Sequence, residues 1–137
     1  MNREGRKGSQ RENELSRIVL DAAFQVHSAL GPGLLESAYE KCLAYELGKQ
    51  GISTSSQVEL PIIYDSKRID AGYRIDMLVE NLVIIELKAV ERLLPIHEAQ
   101  LLSYLRLAKK RLGLLINFNT LCFAEAVRRM VLSKTST

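Results

Sequence analysis

The sequence predicts a single α/β domain in which a mixed central β-sheet is flanked by helices. The chain has 137 residues, which is the usual size of one domain. Apolar residues recur at helical spacing in its first third, alternate with other residues in the middle, and return to helical spacing near residue 100. One middle segment is apolar on both faces, which is typical of a central strand covered on both sides.

The composition is that of an ordinary globular protein, and it excludes several functional classes. Hydrophobic residues make up 47% of the chain and charged residues 26%, enough to fill one core. The net charge of +3 permits a nucleic-acid partner without indicating one. Cys42 and Cys122 form no CxxC pair, so we expect a reduced cytoplasmic protein without a zinc site or iron–sulfur cluster. No apolar run reaches the roughly 18 residues of a transmembrane helix, so we expect no membrane partner.

Two helices are predicted at the start of the chain. An apolar face at helical spacing indicates a helix from about Glu12 to Leu30. Gly31-Pro32-Gly33 interrupts it, and a second helix is expected from about 34 to 47. The basic residues before the first helix could touch phosphate, but a solvated tail is the favoured interpretation. The predicted division is a flexible basic arm at 1–11, a single domain at 12–132 and a flexible tail at 133–137.

The remaining elements are mostly strands. They are predicted as strands at 58–64, 69–79 and 82–89, a helix at 95–110, a strand at 112–118 and, at 123–132, a short helix or an edge strand. The predicted order is therefore ααβββαβ plus a short C-terminal element. The segment 82–89 is the central strand, because only Glu86 and Lys88 interrupt its apolar character.

These two charged residues need an explanation, because burying a carboxylate and an ammonium is costly unless they are paired or bind something. Glu86 and Lys88 are two residues apart, so they project from the same face of the strand as Ile84. A salt bridge near the end of the sheet would account for them. A binding site would account for them as well.

Asp76 lies one strand earlier and can come close to Glu86. A two-residue turn at Glu80-Asn81 would place Asp76 opposite Ile85, on the wrong face. An odd-length loop or a single bulge would place it on the face of Glu86, and bulges are common beside active sites. Two carboxylates that converge with Lys88 supply oxygen ligands for a hard cation such as Mg²⁺. The ion could activate a water, and the lysine could orient that water or stabilise the transition state.

Two motifs in this region resemble those of the PD-(D/E)XK nuclease superfamily. Gly72-Tyr-Arg-Ile-Asp76 is followed, after nine intervening residues, by Glu86-Leu-Lys88, with Ile75 where the motif usually has proline. Gln100 and Tyr104 are similar to the QxxxY signature of the exonuclease-like branch, and their spacing puts both on one helix face. The resemblance implies a restriction-endonuclease-like core for the predicted α/β domain.

The upstream segment resembles a narrower group, the GxxExxY protein family within that superfamily. Gly33-Leu-Leu-Glu36-Ser-Ala-Tyr39 matches its name-giving pattern. Three further phrases are similar to the same family, and together they extend the resemblance from about residue 12 to residue 131. They are Glu86-Leu-Lys-Ala89, His97-Glu-Ala-Gln-Leu-Leu-Ser-Tyr104 and Gly113-Leu-Leu-Ile-Asn-Phe-Asn119.

The resemblance implies a nuclease, a hydrolase that cleaves phosphodiester bonds of nucleic acid, with DNA as the favoured substrate. It implies Mg²⁺, with Mn²⁺ as a substitute, held by Asp76, Glu86, the backbone carbonyl of Leu87 and Glu36. It implies that Lys88, Gln100 and Tyr104 act with Asp76, Glu86 and Glu36 as the catalytic set. The alternative is a non-catalytic nucleic-acid-binding or assembly module that retains the fold. Every expected catalytic position carries a competent residue, which favours the enzyme.

Several of these residues also have a structural interpretation. Glu36 and Tyr39 share a helix face and could be a first-turn carboxylate, favoured by the helix dipole, and a core aromatic residue. Gln100 and Tyr104 could equally be packed on an amphipathic helix. His97 stands at the start of a helix, where a capping role, or a supporting contact to the site residues, is more common than a catalytic role, so it is not placed in the catalytic set.

Overall fold

The computed structural model describes residues 3–132, with side chains from Gln10 onward. The helices in this range are α1 (Arg3–Leu30), α2 (Glu36–Lys49) and α3 (Pro95–Ala108). The strands are β1 (Thr54–Glu59), β2 (Ile62–Tyr64), β3 (Lys67–Ile69), β4 (Arg74–Val79), β5 (Val83–Lys88), β6 (Leu112–Asn117) and β7 (Val127–Val131). A 3-10 turn, Phe123–Ala126, precedes β7.

Five strands form one mixed sheet in the order β1-β4-β5-β6-β7. β5 and β6 are parallel, whereas the other neighbouring pairs in this sheet are antiparallel. Parallel strands need a crossover connection, and α3 provides it. β2 and β3 pair with each other as a separate hairpin. The predicted fold class, a mixed sheet flanked by helices with a restriction-endonuclease-like core, is confirmed.

The core consists of two apolar clusters, one on each face of the sheet. Val83, Ile85 and Leu87 of β5 pack in the first cluster with α1 and α2, whereas Ile84 packs in the second with α3. All four are buried. β5 is therefore the central strand covered on both sides, as the sequence predicted. Truncating Ile85 to alanine would cost about 2–5 kcal/mol, because a dense core closes only partly around the cavity.

Gly113 of β6 allows α3 to lie close to the sheet. A Cβ atom at this position would come within 2.8 Å of Leu101 Cδ1. Leu101 is fully buried in the second cluster, so neighbouring side chains limit its movement. This close approach fixes the position of α3 relative to the sheet, and with it the position of Gln100, the preceding residue in the helix.

The first helix is longer than predicted. It begins at Arg3 rather than near Glu12. The sequence of its early turns is polar, and apolar periodicity cannot locate the start of such a helix. The predicted end at Leu30 is confirmed. Residues 1–2 and 133–137 lie outside the described residues, and the division into arm, domain and tail stays a prediction. No helix within 3–132 has both the length and the apolar character that crossing a membrane requires.

Both long strands predicted for the middle of the chain are broken in two. The predicted strand at 58–64 ends at Glu59, just before Pro61, which cannot donate to a ladder. The predicted strand at 69–79 is interrupted at 70–73. β2 and β3 instead pair through a two-residue turn, Asp65-Ser66, with positive φ values of 53° and 63°. Alternation alone cannot distinguish a strand that leaves the sheet from one that continues in it.

The last element is an edge strand, one of the two predicted alternatives. β7 pairs antiparallel with β6 along the outer side of the sheet. The 3-10 turn before it brings Phe123 against Phe24 and His27 of α1, with ring centroids 5.9 Å and 5.5 Å apart. These aromatic contacts attach the C-terminal part of the chain to α1.

Candidate active site

The connection between β4 and β5 decides where Asp76 lies. Val79 pairs with Val83, so the connection has three residues, and two of them, Glu80 and Asn81, have positive φ values of 51° and 57°. This is the odd-length alternative of the two predicted from the sequence. The same register continued by one residue places Asp76 opposite Glu86, on the face of the sheet that α3 covers.

Asp76 and Glu86 are interlocked by hydrogen bonds between side chain and backbone. The Asp76 N–H donates to Glu86 Oε2 at 2.9 Å, and the Leu87 N–H donates to Asp76 Oδ2 at 2.8 Å. The regular ladder between the two strands ends at Met77. Beyond it, where the strands separate, the two carboxylates accept the hydrogen bonds of backbone N–H groups that the ladder no longer pairs. Ile75 packs in the second cluster although Met77 packs in the first, so the strand's alternation breaks at Asp76.

The Glu86 carboxylate lies in an environment that disfavours its charge. Only 4% of the residue is exposed. Burial, followed by the neighbouring negative charge of Asp76, raises the pKa of Glu86 to about 8, although the Asp76 N–H and the Lys88 charge oppose the shift. A buried acid beside a second acid accumulates negative charge that a bound cation would neutralise.

Lys88, Gln100 and Tyr104 form one hydrogen-bonded chain between β5 and α3. Lys88 Nζ donates to Gln100 Oε1 at 3.1 Å, and Gln100 Nε2 donates to the Tyr104 hydroxyl at 3.2 Å. Tyr104 is buried, and burial together with the Glu86 charge raises its pKa. The ion pairs found among the described side chains, Gln10 to Leu132, do not include Lys88. The Glu86–Lys88 salt bridge that the sequence allowed is therefore not formed.

The strand order and the interlocked carboxylates coincide with a family match. A sequence profile of the PD-(D/E)XK nuclease superfamily matches residues 13–130. The chain belongs to the PD-(D/E)XK nuclease superfamily. No match was found among curated proteins, and none among solved structures. The superfamily match does not test the narrower resemblance to the GxxExxY family, which stays a prediction.

Glu36 reaches the same region from the opposite face of the sheet, as the first residue of α2. Burial and then the Asp76 charge raise its pKa, while Lys88 and the Ala89 N–H lower it. These interactions place Glu36 near Asp76 at the end of β5. Of the positions that the superfamily resemblance assigns to the site, the structure brings together Asp76, Glu86, Leu87, Lys88, Glu36, Gln100 and Tyr104.

Tyr39 does not join this group, because it is fully buried. Its hydroxyl donates to the Gly31 carbonyl at 2.6 Å and accepts the Leu34 N–H at 3.1 Å. Its ring stacks on Phe118 with centroids 4.5 Å apart. Tyr39 therefore fixes the turn between α1 and α2, and through this turn it positions Glu36 one helical turn away. The structural interpretation of Tyr39 is the one that its contacts support.

Gln57 and Glu40 belong to the site although sequence reasoning did not single them out. Gln57 Nε2 lies 3.1 Å and 3.2 Å from the two Glu40 carboxylate oxygens and 3.4 Å from Asp76 Oδ1. Glu40 follows Glu36 by four residues, so their shared helix face was a usable signal. Gln57 had no such signal, because its contacts depend on a backbone φ of 53° within β1.

His97 caps α3 in this member of the superfamily. Its Nδ1 accepts the Leu94 N–H at 2.9 Å, which satisfies a backbone donor before the first turn of the helix. This contact is the capping role, one of the two non-catalytic roles that the sequence favoured. A ring nitrogen that accepts a backbone N–H is unprotonated at that position, so Nδ1 is occupied by the cap.

The donor set suits a divalent cation of the kind that superfamily nucleases generally require. Asp76 and Glu86 each use one oxygen for a backbone N–H, which leaves a second oxygen on each as a ligand. Mg²⁺ is commonly held by one or two carboxylates and keeps several waters. No group of three or more histidine, cysteine, aspartate or glutamate side chains with metal-binding geometry occurs within 10–132, where the structure describes side chains. Glu36 is therefore not grouped with Asp76 and Glu86 for metal binding, and its role as a metal ligand stays a prediction.

Proposed function

We propose that this protein is a metal-dependent nuclease that hydrolyses phosphodiester bonds of nucleic acid, with DNA as the favoured substrate. The observation that carries the proposal is the interlocked pair of Asp76 and Glu86 beside a lysine that has no carboxylate partner in the described chain. Superfamily membership supports the same chemistry. Two acids and a cationic donor at the end of a central strand suit phosphoryl chemistry better than a structural salt bridge.

Each residue then has a defined task. Asp76, Glu86 and the Leu87 carbonyl would hold a Mg²⁺ or Mn²⁺ ion, and Glu36 would add a carboxylate from the other side of the sheet. When bound, the ion supplies Lewis-acid stabilisation of phosphate oxygens and a water of lowered pKa. The Leu87 N–H fixes Asp76 Oδ2 and the Gln57 amide contacts Oδ1, so the carboxylate is already oriented.

Lys88 acts on the substrate rather than on the metal. Its ammonium group orients the attacking water and neutralises charge that develops on the phosphate oxygens. The Gln100 carbonyl oxygen holds Nζ, and Tyr104 accepts a hydrogen bond from the Gln100 amide, so the lysine is positioned before substrate binds. Gln100 and Tyr104 complete the catalytic set by this positioning.

We also infer three finer properties. The GxxExxY pattern of Gly33, Glu36 and Tyr39 supports membership of that family. Two free cysteines, Cys42 and Cys122, support a reducing cytoplasmic location. The profile match at 13–130 supports one domain at 12–132.

A cleavage assay tests the proposed activity. Purified protein is incubated with single-stranded DNA, duplex DNA and RNA in the presence of Mg²⁺, Mn²⁺ or EDTA. We expect metal-dependent cleavage that falls by at least about a hundredfold in Asp76→Asn, Glu86→Gln and Lys88→Met. Because the three groups act as one unit, double variants should be little worse than single ones.

Asp70→Asn is the matched control, because Asp70 is an exposed carboxylate in the loop before β4. It should cleave like the wild type. Cleavage that survives in Glu86→Gln would belong to a contaminant. Wild-type protein that binds nucleic acid and cleaves none of these substrates would establish the non-catalytic binding module instead.

A further inference from the structure

An open cleft lies beside Lys88 on the α3 side of the sheet. Its volume of about 740 Å³ is in the range of small-molecule binding sites. The cleft shares Lys88, Gln100 and Tyr104 with the candidate active site. Ile62 of β2 and Tyr73, from the segment between β3 and β4, form the side opposite α3. The cleft is therefore continuous with the catalytic group and bounded by the hairpin.

The walls of this cleft are apolar and accessible. Ile96 is 68% exposed and Tyr73 45% exposed. The Tyr73 ring packs edge-on against the Tyr104 ring, with centroids 6.0 Å apart, while Tyr104 itself is buried. Tyr73 thus presents the accessible aromatic surface. Exposed apolar groups gathered around a concave site mark a place where a ligand covers them.

The charges of the cleft complement an anion. Its lining includes the cations Lys88 and Arg106, and no carboxylate lines it in the part of the chain that the structure describes. Asp76 and Glu86, where the proposed metal ion would bind, do not line the cleft. A ligand that fits has a phosphate near the lysine and a flat apolar group against Tyr73.

We propose that this cleft holds an unpaired nucleobase next to the scissile phosphate, so that the substrate is a single strand or a single-stranded end. The inference rests on the proposed nuclease function. In an intact duplex the bases are stacked inside and mainly phosphates and sugars face the protein, so the apolar walls would have no partner. An unpaired nucleotide offers its π-face to Tyr73 and its edges to Ile62 and Ile96, and its phosphates reach Lys88 and Arg106.

The hairpin extends this surface beyond the cleft. Ile62 and Tyr64 are two residues apart in β2, so their side chains lie on the same side of the strand. Tyr64 is 71% exposed. Lys67 pairs with Tyr64 across the hairpin, so a positively charged side chain lies on the same face of the hairpin as the ring. A neighbouring unpaired nucleotide has a second aromatic surface there, with a cation for its phosphate.

Binding without cleavage tests the proposal. Fluorescence anisotropy in EDTA measures the dissociation constants of the full chain for a labelled single strand, a blunt duplex of the same sequence and a duplex with a single-stranded overhang. We expect the single strand and the overhang to bind at least about tenfold tighter than the blunt duplex, because base–aromatic stacking is worth about that much. Tyr73→Ala should remove most of this difference, and Tyr73→Phe should retain it.

Ile96→Ala provides a second variant, since this exposed side chain is not needed for folding, and it should weaken single-strand binding but not duplex binding. Tyr45→Ala is the matched control: Tyr45 is 67% exposed on α2, away from the cleft, and its loss should change nothing.

Equal affinity for single strand and blunt duplex would overturn the proposal, as would the absence of binding to all three nucleic acids. A Tyr73→Ala variant that binds all three like Tyr45→Ala would overturn it too. Self-association in sedimentation velocity that Ile96→Ala abolishes would assign the cleft to a second copy of the chain instead. Failure of the proposed nuclease function would look different. The protein would still prefer single strands, and the preference would still depend on Tyr73, but no cleavage would follow when Mg²⁺ is added.

Discussion

At the scale of single residues, Glu86 is the group whose environment departs most from that of a surface carboxylate. Its pKa is raised to about 8 because it is buried beside Asp76, whereas Lys88 is held by Gln100 rather than by either acid. The protein keeps this costly arrangement at the end of its central strand. A hydrophobic residue would stabilise the fold more easily, so the position is explained by binding and chemistry rather than by stability.

The pKa of Glu86 predicts how stability depends on pH without metal. The ordinary value is 4.5, so between about 4.5 and about 8 the folded state binds more protons than the unfolded state. Stability contributed by this group is fully present below 4.5 and falls as pH rises towards 8, by up to about 1.4 kcal/mol per pH unit. Denaturant unfolding in EDTA across this pH window measures the slope.

Glu86→Gln should flatten this slope and be more stable than the wild type at pH 8, since it conserves volume and removes the charge. The control is Glu59→Gln, which changes an exposed carboxylate at the end of β1. An unchanged slope in Glu86→Gln would show that the carboxylate is not protonated in the folded state at neutral pH.

At the scale of elements, β1 carries a backbone distortion that serves the site. Gln57 lies between Ser56 and Val58, which pair with β4 residues on either side of Asp76. Its positive φ costs about 1 kcal/mol or more for a residue with a side chain. This conformation lets the Gln57 amide contact the carboxylates of Glu40 and Asp76. The distorted backbone therefore helps to orient the Asp76 carboxylate.

Two replacements of Gln57 distinguish the cost of its strained backbone from the role of its side chain in positioning Asp76. Gln57→Gly and Gln57→Ala both remove the amide, but only glycine adopts a positive φ without strain. We expect Gln57→Gly to be more stable than Gln57→Ala by about 1 kcal/mol in denaturant unfolding. Both should weaken metal binding by about tenfold or more, as loss of an orienting partner typically does.

Isothermal titration with Mn²⁺ measures that second effect. Gln50→Ala serves as a control, because Gln50 is exposed at the end of α2 and far from Asp76 in the sequence. Equal stability of the glycine and alanine variants would mean that Gln57 is not strained. Unchanged metal affinity in both Gln57 variants would show that the Gln57 side chain does not position Asp76.

At the scale of the whole molecule, the site joins four elements, namely two strands of the sheet and one helix from each of its faces. β5 and β4 supply the interlocked carboxylates, α3 supplies Gln100, which accepts a hydrogen bond from Lys88, and α2 supplies Glu36. Since the separate layers meet only in the folded state, an ion that binds there stabilises the whole fold.

A divalent cation should therefore raise the melting temperature of the protein. At a concentration about 100 times its dissociation constant, the ion adds about 2.7 kcal/mol to the unfolding free energy. Differential scanning fluorimetry with Mg²⁺ or Mn²⁺ should show a shift of several degrees in the wild type. Asp76→Asn should lose most of that shift, and Asp70→Asn should keep it. An equal shift in Asp76→Asn would place the ion elsewhere.

The local parts of the site could be predicted from the sequence. Side chains two residues apart in a strand lie on the same face, so Glu86 and Lys88 share a face with Ile84. Side chains four residues apart in a helix also share a face, as Gln100 and Tyr104 do. The two-sided apolar character of 82–89 likewise identified the central strand. The strands 58–64 and 69–79 were predicted wrongly as continuous, because alternation does not show which strand a residue pairs with.

What the sequence determined by itself is the fold class, the central strand and the residues that share a face within one element, because these follow from local periodicity and burial. Tertiary structure decided that Asp76 faces Glu86, through a three-residue connection whose positive-φ conformation was not fixed by residue type. It also decided that Gln57 reaches Asp76. Register and strained backbone depend on contacts between elements distant in sequence, and for this reason a single sequence leaves them open.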